Sequence, residues 1–194
     1  GSTSFGDFHN ANGILFFVGS DGVNGSELWK SNGTDAGTIM IKDIETGTGG
    51  SNIRRFVTLN SNTYFFANTA ATGNGLWKTD GTDAGTVIVK DLNDNGSPDY
   101  LTLVGNILFF RGFDDTNGAE LWKSDGTEAG TVLVKDIFPG VSDGYPVNLF
   151  NANGTLYFSA SNEAKTPGDF IECFNTGGEL WKSDGTEAGT LLVK

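Results

Sequence analysis

The apolar residues of this chain occur in short runs separated by turn-forming residues. Between Tyr100 and Ile137 the runs are "YLTLV", "ILFFRG", "AELWKS" and "TVLVKDI". Runs of this length, bounded by Gly, Asn and Asp, predict β-strands joined by tight turns. The connection "SDGTEAG" suits a hairpin, because its Asp and Thr can bond the backbone and its Gly can take a positive φ. Four such strands in succession predict an antiparallel meander.

The apolar runs are too continuous for a sheet that has one solvent-exposed face. Such a sheet alternates apolar and polar residues, whereas residues 14 to 18 and 132 to 134 are apolar without interruption. We therefore expect both faces of each meander to be covered by neighbours.

The meander recurs four times. Each unit carries Leu-Trp-Lys, with tryptophans at Trp29, Trp77, Trp122 and Trp181. The units cover about 5–44, 45–92, 93–137 and 138–194 of a single repeat domain, 1–194. Four-stranded units at this period predict an all-β fold, a β-propeller with four blades of four antiparallel strands. A parallel β-helix is the rival, but its rungs are shorter and do not need Asn-Gly hairpin turns.

How the ring would close is left open by the sequence. Three arrangements are compatible with the repeat. The first and last blades could pack together and close the ring, the blades could form an open array, or two chains could join into a ring of eight blades. A monomer is favoured over the two-chain ring.

Charge narrows the choice of partner. The 194 residues carry a formal net charge of −12, and the lysines mostly follow the repeat instead of forming a basic patch. Nucleic acid is therefore a poor partner. No apolar run is long enough to predict a membrane span.

The repeated phrase also carries a family resemblance. "ELWKSDGTEAGT", followed by "LVKDI", resembles the ELWxxDGT repeat of bacterial secreted and surface proteins, over essentially the whole chain. The resemblance implies propeller-like repeats and an extracellular or cell-surface location, and it implies no defined activity. The second unit departs from the pattern, since Gly75 stands where the others have Glu27, Glu120 and Glu179.

Catalytic groups are scarce. The one histidine is His9 and the one cysteine is Cys173, and neither has a nucleophile, base or metal-ligand motif around it. We expect His9 to be exposed or packed on a strand, and the chain not to be an enzyme. The tryptophans are expected in the core between blades, with stacking on sugars as the alternative.

A candidate calcium loop breaks the repeat after the second unit. The stretch "DLNDNGSPD", 91–99, has the spacing D-x-N-x-N-G-x-x-D, in which alternate oxygen ligands converge as the loop curls at Gly96. The spacing is similar to the calcium loops of the FG-GAP propellers. The ligands would be Asp91, Asn93, Asn95, the carbonyl of Ser97, and Asp99. The alternative is a plain turn, which has the same composition.

Two weaker candidate sites concern loops. Asp21 with Asn24, and Asp114 and Asp115 with Asn117, could also hold an ion, although hairpin turns explain them sufficiently. The fourth unit carries a long insertion, 161–178, whose apolar residues could form a recognition surface or fold down over the propeller. These apolar residues are Phe170, Ile171 and Phe174.

These observations predict a non-catalytic extracellular binding or adhesion module of a larger bacterial protein, with calcium as a candidate stabilising ion. Its ligand would be a protein or glycan held at a loop face. The alternatives are an accessory domain of a carbohydrate-processing enzyme and a purely structural spacer.

Overall fold

The structure is a computed structural model that describes residues 5–92, 96–162 and 178–194. Across these residues all regular structure is β-strand. The strands form four sheets of four, each ordered along the chain and each antiparallel throughout. We call the sheets blades one to four. The chain divides into two compact units, Gly1–Asp94 and Asn95–Lys194, with two blades in each.

The first unit contains blades one and two. The strands of blade one are β1 Phe5–Ala11, β2 Ile14–Gly19, β3 Glu27–Ser31 and β4 Ile39–Lys42. The strands of blade two are β5 Arg54–Leu59, β6 Asn62–Thr69, β7 Gly73–Thr79 and β8 Val87–Asp91.

The second unit contains blades three and four. The strands of blade three are β9 Asp99–Val104, β10 Ile107–Asp114, β11 Gly118–Ser124 and β12 Val132–Lys135. The strands of blade four are β13 Val147–Ala152, β14 Thr155–Ala160, β15 Glu179–Ser183 and β16 Leu191–Leu192.

The predicted turn chemistry is confirmed. In blade two the Asp80 carboxylate accepts hydrogen bonds from the Thr82 N–H at 2.8 Å and hydroxyl at 2.7 Å, while Gly81 takes a φ of 90°. The Thr82 hydroxyl in turn accepts from the Gly85 N–H at 3.0 Å. The same bonds recur around Asp125 and Asp184. Each turn is stabilised by hydrogen bonds among its own residues. The complete turn sequence is therefore needed in every blade that uses it.

The core of each unit lies between its two blades. In the first unit Leu28 of β3 packs with Phe65 and Trp77 of blade two. In the second unit Leu121 of β11 packs with Phe158 and Trp181 of blade four. These clusters confirm that neighbouring blades pack on the apolar runs and that Trp77 and Trp181 belong to this core. The expectation that both faces are covered holds only in part, because Val132, on the outermost strand of its sheet, is 39% exposed.

A lysine ties each of these blade pairs together. The Lys30 ammonium of blade one donates to the Gly81 carbonyl of blade two at 2.6 Å. The Lys123 ammonium of blade three donates to the Gly185 carbonyl of blade four at 2.7 Å. The repeated phrase therefore contains both halves of an interlock, with the lysine in one blade and its acceptor in the next.

The first strand of every blade bulges. Its register with the second strand shifts, and one residue at the shift adopts a left-handed backbone. These four residues are Asp7, Arg55, Tyr100 and Asn148, with φ between 48° and 61°. Asp and Asn tolerate that conformation better than most residues, whereas a tyrosine there is a conformational outlier.

Candidate functional site

A buried glutamate fixes the segment that leaves blade three. Glu120 of β11 is fully buried, and its carboxylate accepts hydrogen bonds from the N–H groups of Ile137 at 2.9 Å and Gly144 at 2.6 Å. A longer bond of 3.3 Å comes from the Phe138 N–H. Since a buried carboxylate has no access to water, these N–H donors replace its hydration. Burial raises the pKa of Glu120 to about 7, against the opposing effect of these hydrogen bonds.

Blade one carries the same arrangement. The Glu27 carboxylate accepts from the N–H groups of Ile44 at 2.9 Å and Ser51 at 3.1 Å, and from the Ser51 hydroxyl at 2.7 Å. Burial raises the pKa of the Glu27 carboxyl as well. We call this arrangement the glutamate clamp, because in both units it holds the connection between two blades.

Tyr145 lies directly after the segment that the glutamate clamp of blade three holds. Directly after Gly144, the Tyr145 N–H donates to the Ala119 carbonyl at 2.9 Å, so the connection runs along β11 for two residues. The Gly144 carbonyl accepts from the Ser161 N–H at 2.9 Å. Tyr145 is thus held on a fixed backbone.

An arginine connects this tyrosine to a second one. Arg111 of β10 is buried, and its guanidinium carbon lies 4.3 Å from the ring centroid of Tyr145 and 5.3 Å from that of Tyr100. Both distances are within the range of a cation–π interaction. The guanidinium also donates to the Ser97 carbonyl at 3.3 Å. We call Tyr100, Arg111 and Tyr145 the tyrosine pair site.

Both tyrosines are held in unfavourable backbone conformations. Tyr100 has a φ of 60° and Tyr145 a φ of 49°. A bulky residue in the left-handed region costs of order 1 kcal/mol or more, and such residues cluster at functional sites. At the same repeat positions in the first unit stand Asp7 and Asn52, whose residue types accept this conformation readily.

The tyrosine pair site offers a defined chemistry. Both tyrosine residues are half-buried, so each keeps part of its surface in contact with solvent. Aromatic faces stack on flat apolar groups, and phenol hydroxyls donate and accept hydrogen bonds. Asp99 adds a carboxylate beside Tyr100. This carboxylate accepts a hydrogen bond of 2.7 Å from the Tyr100 N–H. This combination suits a ligand with both hydroxyl groups and an apolar face.

The predicted calcium ligands are distributed over both units. Asp91 ends β8 in the first unit, opposite Gly75, whereas Ser97 and Asp99 lie in the second unit. Asn93 and Asn95 lie outside the described residues. The Ser97 carbonyl, assigned to the ion by the sequence, accepts from the Arg111 guanidinium. The described ranges contain no group of three His, Cys, Asp or Glu side chains placed for a metal, and calcium at 91–99 stays a prediction.

The weaker ion candidates form ordinary turns. The Asp21 carboxylate accepts from the N–H groups of Val23 and Asn24, at 2.8 and 2.9 Å. Asp114 does the same for Thr116 and Asn117, at 2.8 and 2.7 Å. These bonds confirm the hairpin-turn interpretation of both stretches.

The histidine packs on a strand, which is one of the two environments expected for it. The His9 Nε2 lies 2.7 Å from the Thr58 hydroxyl, and its ring stacks on Phe56 with centroids 5.9 Å apart. Burial lowers the pKa of His9. Cys173 and the apolar residues of the long insertion, Phe170, Ile171 and Phe174, lie outside the described residues.

Sequence reasoning missed the tyrosine pair site. The available signal was Arg111, a charge inside the apolar run "ILFFRG" where the other units have Val18, Phe66 and Ser159. A charged residue inside a strand covered on both faces requires a partner. Tyr100 and Tyr145 carried no such signal.

Comparison with known sequences gives no family assignment. No family model matches the sequence, and none of the curated proteins matches it. Across the described ranges, no helix is present that could cross a membrane.

Solved structures share the fold. The chain is similar to a structure from a study of two prolyl endopeptidases, with a TM-score of 0.56 and 16% identity over 93% of this chain. The match covers 24% of that protein, so this chain spans about a quarter of its length. At this identity the likeness shows the fold alone. With the four blades described above, it confirms the predicted all-β propeller class.

A second structure is similar at a lower level. An alpha-L-arabinofuranosidase from Clostridium thermocellum ATCC 27405 aligns with a TM-score of 0.40 and 15% identity, over 95% of this chain and 70% of that one. This likeness is too weak to support a statement about function.

Proposed function

We propose that this chain is a non-catalytic binding module of an extracellular or cell-surface protein, and that it binds a glycan at the tyrosine pair site. The observation that supports this proposal is the contact of the Arg111 guanidinium with the rings of two half-buried tyrosines, both on strained backbone. Bulky residues are costly in the left-handed region, where Arg55 also lies, and two of them in contact with one buried arginine are typical of a recognition site.

A glycan fits the site better than an acidic protein surface. Arg111 is buried and already interacts with two rings and a carbonyl, so it serves to orient the tyrosines. The accessible chemistry is then aromatic and phenolic, which matches the apolar face and hydroxyl edge of a sugar ring. The net charge of −12 also opposes binding to acidic partners.

Two further proposals accompany this one. The resemblance to the ELWxxDGT repeat supports an extracellular location. Calcium bound at 91–99, through the ligands that the sequence assigns, would stabilise the folded chain. An accessory role beside a carbohydrate-processing enzyme would use the same glycan site and is compatible with it.

The experiment is a glycan microarray with neutral and acidic oligosaccharides, followed by calorimetric titration of the glycans that bind. We expect Tyr145→Asn to weaken binding by about tenfold or more, since one stacking partner is lost. Phe150→Ala, which removes an exposed aromatic ring elsewhere in blade four, is the matched control and should leave affinity unchanged.

Three results would contradict the proposal. The first is the absence of any glycan ligand, and the second is an equal loss of affinity in Tyr145→Asn and Phe150→Ala. The third is binding to a purified surface protein, in place of glycans, that depends on Tyr145, which would assign the same site to a protein ligand. Hydrolysis of a bound oligosaccharide would overturn the non-catalytic part of the proposal.

A further inference from the structure

The three arginines of the chain all stand at or opposite the bulge of a first strand. Eight of the nine lysines follow the repeat, whereas the arginines do not. Arg111 lies opposite Asp99 at the bulge of β9 and belongs to the tyrosine pair site. Arg54 and Arg55 stand at the bulge of β5, in the other compact unit. Blade two therefore has a cationic group of its own at this place in the repeat.

The side chain of Arg54 is held in place by its neighbours. Its guanidinium carbon lies 5.9 Å from the ring centroid of Phe66, the residue opposite it on β6. The guanidinium donates to the Asn52 carbonyl at 3.1 Å and to the Asn74 side-chain oxygen at 3.3 Å. A cation–π contact and two hydrogen bonds restrict a side chain that otherwise has many rotamers. This guanidinium is therefore positioned before any ligand arrives.

The next residue has an unfavourable backbone conformation. Arg55 is exposed and has a φ of 61°. Blades one and four place Asp7 and Asn148 at the same position, and these residue types tolerate the left-handed region better than arginine does. The framework thus does not require arginine here. A bulky residue kept at such a position in spite of its cost points to a role in function.

The residues around Arg54 depart from the repeat together. At the positions of Arg54, Phe66 and Asn74, the other blades carry residues that could not form the same contacts. These residues are Gly6, Asp99 and Val147 for Arg54, Val18, Arg111 and Ser159 for Phe66, and Ser26, Ala119 and Gly178 for Asn74. Blade two therefore has a cluster of its own, as blade three has in the tyrosine pair site.

We propose that Arg54 and Arg55 bind the carboxylate of an acidic sugar, and we call them, with Asn52 and Asn74, the arginine pair site. A guanidinium can form two parallel hydrogen bonds with a planar carboxylate, which the ammonium of lysine cannot match. The bulge interrupts the alternation of side chains along β5, so two consecutive arginines can serve one ligand.

The amide groups of the site favour a sugar over a simple carboxylate. Asn52 is exposed and Asn74 is half-buried. Amide side chains both donate hydrogen bonds to hydroxyl groups and accept them. The arginine pair site lies in the first compact unit, and the proposal does not depend on the tyrosine pair site.

The acidity of the whole chain is compatible with this ligand. A net charge of −12 opposes an extended acidic partner. Exposed charges further apart than about 10 Å are largely screened at 0.1 M salt, however, so a single carboxylate responds chiefly to the two arginines beside it. Binding should therefore weaken as the salt concentration rises.

NMR of the arginine side chains tests the proposal. The ¹⁵N-labelled chain is titrated with sodium glucuronate at constant ionic strength, and the three Nε–Hε signals are followed. We expect saturable shifts for Arg54 and Arg55, while buried Arg111 stays unchanged as the internal reference. Glucose lacks the carboxylate and acetate lacks the sugar ring, so each should bind at least about tenfold more weakly.

Matched variants separate the site from the charge of the chain. Arg55→Asn should weaken glucuronate binding by about tenfold or more, and it should fold because Asn148 takes this conformation in blade four. Arg55→Lys keeps the charge but loses the two parallel bonds, and it should also weaken binding. Lys182→Asn removes the same charge from an exposed position in blade four and should leave affinity unchanged.

Four results would overturn the proposal or part of it. The absence of shifts at Arg54 and Arg55, or an equal loss of affinity in Arg55→Asn and Lys182→Asn, would remove the site. Equal affinity for acetate and glucuronate would overturn the sugar assignment, and full affinity in Arg55→Lys would overturn the paired hydrogen bonds. Tyr145→Asn should leave these shifts unchanged, so the two proposed sites are tested separately.

Discussion

The junction of blades one and two and the junction of blades three and four share one scaffold and differ at the positions of the tyrosine pair site. Both contain the glutamate clamp, through Glu27 or Glu120, and both contain the lysine interlock. At the positions of the tyrosine pair site, however, the first junction has Asp7, Val18 and Asn52. The comparison indicates that the repeat encodes the framework, and that the proposed binding site consists of residues that depart from the repeat.

Blade two shows what happens when the clamp itself is lost. Gly75 replaces the glutamate, and a Cβ there would lie 2.8 Å from the Ile88 Cδ1 atom. The strand pairing extends instead, with Asp91 opposite Gly75 and the Leu92 N–H donating to the Asn74 carbonyl at 2.9 Å. A backbone hydrogen bond thus substitutes for the carboxylate at this blade.

The largest expected effect concerns the shared core. Leu121→Ala removes a fully buried side chain and should lower the free energy of unfolding by about 2 to 5 kcal/mol. Leu28→Ala should behave alike, because it occupies the same position in the other junction. Denaturant unfolding followed by tryptophan fluorescence measures both. Val132→Ala, at a side chain that is 39% exposed, is the control and should cost under about 1 kcal/mol. Equal losses at all three positions would contradict the assignment of the core.

The clamp should be the next most sensitive feature. Glu120→Ala leaves the N–H groups of Ile137 and Gly144 without their buried acceptor, at a cost of about 1 to 3 kcal/mol for each unsatisfied group. The same denaturant experiment measures the loss. Exposed Glu128→Ala serves as the control. A clamp variant as stable as this control would show that the buried carboxylate is dispensable.

Titration of the clamp predicts a pH dependence of stability. The pKa of Glu120 is raised from 4.5 to about 7, so the folded chain holds a proton that the unfolded chain releases between these values. The clamp's contribution is therefore fully present below pH 4.5 and is lost as pH rises toward 7. The free energy of unfolding should fall by up to about 3 kcal/mol across this window.

Unfolding midpoints measured across this pH window test the sign of the effect. Glu120→Gln should reduce the dependence and leave the part that comes from Glu27, whose pKa burial also raises. A rise in stability over the same window would contradict the assignment. The carboxyls of the repeated turns act in the opposite direction, because hydrogen bonds from Thr hydroxyls and N–H groups lower the pKa of Asp80, Asp125 and Asp184. Their contribution is lost in more acidic solution, as pH falls through those lowered values.

The smallest expected effect concerns calcium. The proposed site at 91–99 has two carboxylates, so it should be weak and should raise the unfolding midpoint by about 3 °C at a calcium concentration near ten times its Kd. Thermal unfolding in calcium and in excess EDTA measures the shift. Asp91→Asn should abolish it and Glu128→Gln should not. An identical unfolding midpoint with and without calcium in the wild type would show that the segment is a turn that does not bind calcium.

The repeat made the framework predictable from sequence. Strand runs, turn residues and the Leu-Trp-Lys period are local features, and each blade forms from one continuous stretch. The clamp was not predictable, because Glu120 meets N–H groups 17 and 24 residues further along, and a backbone N–H leaves no trace in the sequence. The tyrosine pair site was not predictable for a related reason. A bulge at Tyr100 and the clamped connection at Tyr145 bring the rings to Arg111, and neither feature can be read from the sequence.

The most direct test of this account replaces the tyrosine pair site with the residues of the first unit. Tyr100→Asp, Arg111→Val and Tyr145→Asn are combined in one chain, and both glycan affinity and the free energy of unfolding are measured. Binding should disappear while stability stays within about 1 kcal/mol of wild type, because lost cation–π contacts are offset by relief of backbone strain. Retained binding would place recognition elsewhere. Unfolding of the triple variant, with the clamp and core untouched, would show that these three residues belong to the framework after all.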